Sequence, residues 1–157
     1  MQWMTLASTA FGAVIALLAT MLNERSKWRR EQIRDRRKLA HETYVGLLAA
    51  FTEAHERMRS EFATGARGND IRNAFRDAGC YAMRYQLALV AQQDVVDHGE
   101  RAFKSLRKIR DLLAEGRSLE TEEYKELRRS YSAALRELQL AMRGELNVGP
   151  VQLEGGS

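Results

Sequence analysis

Gln2 to Leu22 (QWMTLASTAFGAVIALLATML) runs for 21 residues without a charged side chain, in a chain of 157 residues of which 29% are charged. At 1.5 Å per residue this makes roughly 31 Å of helix, about the thickness of the hydrocarbon core of a bilayer. Helices buried in soluble proteins seldom run so far without a charge. A cleavable signal peptide would carry a basic n-region and an apolar core of only about 7 to 15 residues. Residues 1–22 therefore read as a transmembrane anchor.

The next segment is the opposite in character. Asn23 to Lys38 holds eight basic and three acidic residues, which leaves Leu39–Ser157 at −1 against a whole-chain charge of +4. Arg25, Lys27, Arg29, Arg30, Arg34, Arg36, Arg37 and Lys38 all lie where the positive-inside rule operates. The expected topology is a single pass through the inner membrane, with the N-terminus outside and the body in the cytoplasm. The same collar suits anionic lipid headgroups, at about 1 kcal/mol per basic residue near the surface. Trp3 and Trp28 bracket the anchor at the two expected headgroup levels. Nucleic acid is a poor fit, because no aromatic stacking platform beyond Trp28 interleaves with the arginines.

Ser8, Gly12, Ala16 and Thr20 recur every four residues, so they share one face of the anchor. Small residues at that spacing let membrane helices approach closely, although an Ala- and Thr-rich composition also produces them by chance.

Beyond the anchor, periodicity is helical throughout. No proline occurs before Pro150, and Gly46 is the only glycine between Asn23 and Thr64. The anchor helix is thus expected to continue through a basic juxtamembrane segment, 23–38, into the body. Tyr44, Leu48, Phe51, His55, Met58 and Phe62 are spaced like a heptad stripe, suited to extending contact between copies as a coiled coil. Gly65–Asp70 is a break. A second helix follows with Ile71, Phe75, Ala78, Ala82, Tyr85 and Leu89 inward. Asp94 is expected to cap a third, carrying Val96, Gly99, Phe103, Leu106, Ile109 and Leu113, and Gly116 to end it. Ser118 or Thr121 caps a fourth, with Tyr124, Leu127, Tyr131, Leu135, Leu138 and Met142 inward. The expected fold is all-α: a transmembrane helix continuing into a cytoplasmic antiparallel three- or four-helix bundle, 39–144, and then a loose tail, 145–157.

Catalytic chemistry is not assembled by these residues. His41, His55 and His98 have Lys38, Thr52 and Val95 three positions earlier, so the inward Glu-x-x-His pairs of di-iron bundles are missing. Asp94 and His98 could share a ligand face, but Asp at a helix start serves more often as a cap. His55, on the apolar stripe, reads as a core or interface histidine with a titration near neutrality. Cys80 is the only cysteine and has Arg76 and Arg84 four residues away on either side, which could lower its pKa. A buried structural thiol is the simpler reading. No Walker loop, GxSxG, CxxC or HExxH occurs. Neither an enzyme nor a cofactor or metal is expected.

Taken together, the anchor, the basic run SKWRREQIRDRRKLAHETYVGLLAAF, the break in ALVAQQDVVDHGERAF and the terminal YKELRRSYSAALRELQLAMRGEL show a shared pattern. The chain resembles the broad group of uncharacterised single-pass, membrane-anchored helical proteins common in actinobacteria and their relatives. The resemblance implies a bacterial inner-membrane protein with an all-helical cytoplasmic body, and it carries over no reaction and no functional residues. The expected function is a membrane-anchored interaction or scaffold module that self-associates or recruits a protein partner. The alternative is an oligomeric membrane-acting effector or channel-like protein, for instance in antiviral defence. A phage lysis protein with its body outside would conflict with the basic flank.

Overall fold

The computed structural model describes the backbone of residues 2–148 and the side chains of Trp28 and residues 31–148. Among the described residues the chain is all-α, with helices α1 (Gln2–Ala63), α2 (Asn69–Asp77), α3 (Cys80–Val90), α4 (Gln93–Ala114) and α5 (Glu122–Glu145). It divides into two compact units, Met1–Lys38 and Leu39–Ser157. Among the described residues no helix is long and apolar enough to cross a membrane. The side chains of the charge-free run Gln2–Leu22 lie outside them.

The Leu39–Ser157 unit is a helical bundle. Its part of α1 buries Tyr44, Leu47, Phe51, Ala54, Met58 and Phe62. The stripe expected to extend contact between copies is therefore spent inside the chain's own core. Burying those side chains against α3, α4 and α5 removes more apolar surface from water than a two-helix seam would. Tyr44 bonds Glu145 near the end of α5, while the His55 ring lies 5.7 Å from that of Tyr131, so α1 and α5 run antiparallel. Phe103 of α4 joins the elements, its ring 6.3 Å from Phe51 of α1, 5.7 Å from Phe75 of α2 and 5.3 Å from Tyr81 of α3. Offset and edge-on pairs of this kind contribute about 0.5–1.5 kcal/mol each beyond area burial.

The single helix expected to carry Ile71 to Leu89 is two. At Gly79 the backbone takes φ +78°, a left-handed conformation that an L side chain adopts only at a cost of about 1–2 kcal/mol. This kink separates α2 from α3 and rotates the inward face. Cys80, Met83 and Leu87 now point inward, and Ala82, Tyr85 and Leu89 point out. A 3.6-residue period counts straight through a kink and cannot register that rotation.

α3 sits close to both neighbours because each offers a glycine. A Cβ on Gly46 of α1 would come 2.7 Å from Met83 Cε, and one on Gly99 of α4 would come 2.5 Å from Leu87 Cδ2. The Cys80 thiol donates to the Ala50 carbonyl at 3.4 Å, fixing the antiparallel register of α3 on α1.

The helix ends follow local chemistry. Thr121 caps α5, its Oγ1 accepting from the Tyr124 N–H at 3.3 Å. Gly116, at φ +82°, closes α4 as expected. Asp94 does not cap α4; Gln92 holds that position without a side-chain bond, and Asp94 stands in the first turn, where its charge suits the helix dipole. Glu145 completes α5 instead of opening the tail. The Glu145 carboxylate accepts from Tyr44 Oη at 2.6 Å and from the Gln92 N–H at 3.1 Å, drawing together α1, the start of α4 and the end of α5.

Candidate functional site

The basic collar occupies α1 just before the bundle. Arg34, Arg36, Arg37 and Lys38 are exposed, as are Glu31 and Asp35 between them. Trp28 is 68% exposed and Ile33 is exposed as well. The two are five residues apart, so they lie on different sides of the helix. The side chains of Arg25, Lys27, Arg29 and Arg30, of Trp3, and of Ser8, Gly12, Ala16 and Thr20 lie outside the described residues. The first half of the collar and the small-residue seam thus rest on the sequence.

The groups that could have carried chemistry are held in structural roles. Cys80 is buried, and burial pushes its thiol up to about 12, which favours the protonated thiol at neutral pH. The two neighbouring arginines do not activate it: Arg84 forms a two-pronged pair with Glu100, and Arg76 donates to Asn73 Oδ1 at 2.6 Å. His55 is 12% exposed, wedged between α1 and α5, with Nε2 3.5 Å from Tyr124 Oη. Burial, and then the charge of Arg59, hold its pKa below the usual histidine value. Beside it the hydroxyl of Tyr131 is buried with no hydrogen-bond partner among the described residues.

Asp94 and His98 do not form a ligand face. Asp94 Oδ1 lies 3.6 Å from His98 Nε2, while Glu137 Oε2 lies 3.6 Å from Nδ1 on the other side of the ring, so the carboxylates do not converge on one point. Arg101 Nη2 also stands 2.8 Å from Nδ1, where a cation would be repelled. Among the described residues no group of histidine, cysteine and carboxylate side chains could hold a metal ion.

The remaining surface divides by charge. On α4, Lys104, Arg107 and Lys108 are exposed together. On α3 the exposed side chains are Ala82, Tyr85, Gln86, Ala88 and Leu89, with Tyr85 at 65% and Leu89 at 84% exposure. Periodicity does find this α3 stripe; what it misassigns is the side that the stripe faces. Comparison with protein-family models, with curated proteins and with solved structures finds no match to this chain.

Proposed function

We propose that the protein is a membrane-anchored interaction module: a helical body held at the cytoplasmic face of the inner membrane, where it associates with copies of itself or recruits a protein partner. The observation that carries this reading is the pairing, along one helix, of 21 uncharged residues with a collar of eight basic ones. The first suits a hydrocarbon core and the second an anionic, cytoplasmic headgroup layer. The exposed Trp28 stands within the collar, at a level that suits the interface. The same helix continues into the Leu39–Ser157 unit, where it supplies a wall of the bundle core.

The test is fractionation of the full chain expressed in bacteria, combined with a topology reporter fused after Leu153. The protein should stay with membranes through alkaline carbonate extraction. An alkaline phosphatase fusion should be inactive, since that enzyme needs an oxidising compartment for its disulfides. Carbonate-soluble protein would remove the anchor, and an active phosphatase would reverse the topology.

A further inference from the structure

Lys104, Arg107 and Lys108 are exposed within little more than one turn of α4 and share about 100° of its outward side, away from the buried Leu106 and Leu113. By spacing, each has a carboxylate to pair with in its own helix. Glu100 stands four residues before Lys104, the favoured order for a helix ion pair, and Asp111 stands four after Arg107 and three after Lys108. The fold takes both carboxylates away. Glu100 forms its two-pronged pair with Arg84 of α3, and Asp111 accepts from Arg110 Nη2 at 2.6 Å. The three cations are left without an ion pair among the described residues. Uncompensated like charges this close repel one another, and an anion that covers them relieves the repulsion.

We propose that this face of α4 is a contact site for anionic lipid headgroups, additional to the basic collar, which lays the body against the membrane surface. What the face lacks selects the anion. Cores of protein interfaces are depleted of lysine and enriched in aromatic residues, whereas every exposed residue of α4 from Asp97 to Arg110 is charged. Single-stranded nucleic acid stacks its bases on exposed aromatic rings, and the one aromatic residue in that stretch, Phe103, is buried. A lipid surface requires only positive charge brought close to it.

The strength of the contact follows from its size. Each basic residue near such a surface improves partitioning about fivefold, so three give on the order of a hundredfold at low salt. That is enough to orient a body already held at the membrane, and in this respect the inference rests on the function proposed above.

The experiment reconstitutes the full chain in vesicles of phosphatidylcholine alone and of phosphatidylcholine with phosphatidylglycerol. Lysines are acylated briefly and read by mass spectrometry, with Lys125, exposed on α5, as the internal reference. Reactivity of Lys104 and Lys108 relative to Lys125 should be about fivefold lower in the phosphatidylglycerol vesicles, and high salt should close the gap. Arg107→Glu should remove most of that protection at unchanged helix content, because Arg107 is exposed and unpaired. An equal ratio in the two kinds of vesicle overturns the proposal, whether or not the glutamate variant folds: a high one means a solvated face, a low one a face covered by protein. Protection by added single-stranded DNA in the neutral vesicles, with none from phosphatidylglycerol, overturns it in favour of nucleic acid. Carbonate extraction separates the two readings. Protein that resists carbonate but shows no lipid protection keeps the anchor and loses the α4 face. Carbonate-soluble protein whose two lysines are protected by phosphatidylglycerol keeps the α4 face and loses the anchor.

Discussion

Tyr131 and His55 show how the bundle core tolerates polar groups without using them. The Tyr131 hydroxyl has given up water and, among the described residues, received no hydrogen bond in return, a loss that costs about 1–3 kcal/mol. Tyr131→Phe should therefore raise the stability of the body, by about 1 kcal/mol, in chemical denaturation at pH 7. A loss of that size would reveal a partner for the hydroxyl. His55 offers a second test. Its folded pKa is depressed, so above the unfolded value of about 6.5 both states are neutral and the residue is indifferent to pH. As pH falls below that value the unfolded chain takes up a proton that the folded one resists, and stability declines until the folded pKa is passed. The groups facing the ring are Glu56 and Arg59 of α1 and Tyr124, Arg128 and Tyr131 of α5, and burial with the two arginines outweighs the single carboxylate. Melting temperatures measured from pH 7.5 to pH 5 should fall more steeply for the parent than for His55→Gln. Parallel curves would mean that the ring charges freely in the fold. The sequence marked His55 as a core histidine because it sits on an apolar stripe. It could not identify Tyr131 as unpaired, since that depends on what α1 and α3 bring beside it.

At the scale of the element, the legible helices were those whose apolar residues lie on one side only. The periods of α4 and α5 place Phe103, Leu106, Ile109, Leu113, Tyr124, Tyr131, Leu138 and Met142 inward, and all are buried; Leu127 and Leu135 are half-buried, and at the start of α4 it is Val95, in place of the expected Val96, that is buried. α3 was misread because it has two apolar sides, and only the kink at Gly79 decides which of them meets the core. The glycine contacts around α3 make a contrasting pair of predictions. Replacing a mid-helix glycine by alanine is favourable by about 0.8–1 kcal/mol from propensity alone. At Gly46 the obstructing atom is the methyl end of the flexible Met83, which can turn aside, so Gly46→Ala should be neutral or stabilising by up to about 1 kcal/mol. At Gly99 the new Cβ meets Leu87, a fully buried side chain with no room to swing. Gly99→Ala should destabilise in spite of its propensity gain, by about 1–3 kcal/mol as for other overpacked sites. Urea titration of both variants checks the order, and equal effects would mean that α3 is not wedged between the two glycines.

For the whole molecule, the organising contrast is between a basic collar and a body that is close to neutral. Changing Arg29, Arg30, Arg36 and Arg37 to Gln removes four of the eight basic residues of that collar. Affinity for vesicles rich in anionic lipid should drop by a few kcal/mol in total, at about 1 kcal/mol per residue, and the difference should shrink as salt is raised. The melting temperature of the body should not move, because Arg36 and Arg37 are exposed and the collar precedes the bundle. Unchanged vesicle binding would leave the collar as an ordinary solvated helix face. Charge distribution is a property of composition, which is why the collar was readable at once. The meeting of Tyr44, Gln92 and Glu145 was not, since it joins residues as much as 101 positions apart through a carboxylate that lies beyond the last apolar position of its helix.

That meeting point has a mechanical consequence. α1 enters the bundle and α5 leaves it at the same end, with the Tyr44–Glu145 hydrogen bond between them. Tension applied between Tyr44 on α1 and the end of α5 therefore does not slide helices past one another and load every contact in parallel. It opens the bundle like a zip, one turn at a time, with the Glu145 carboxylate as the first tooth and the aromatic contacts around Phe103 reached only later.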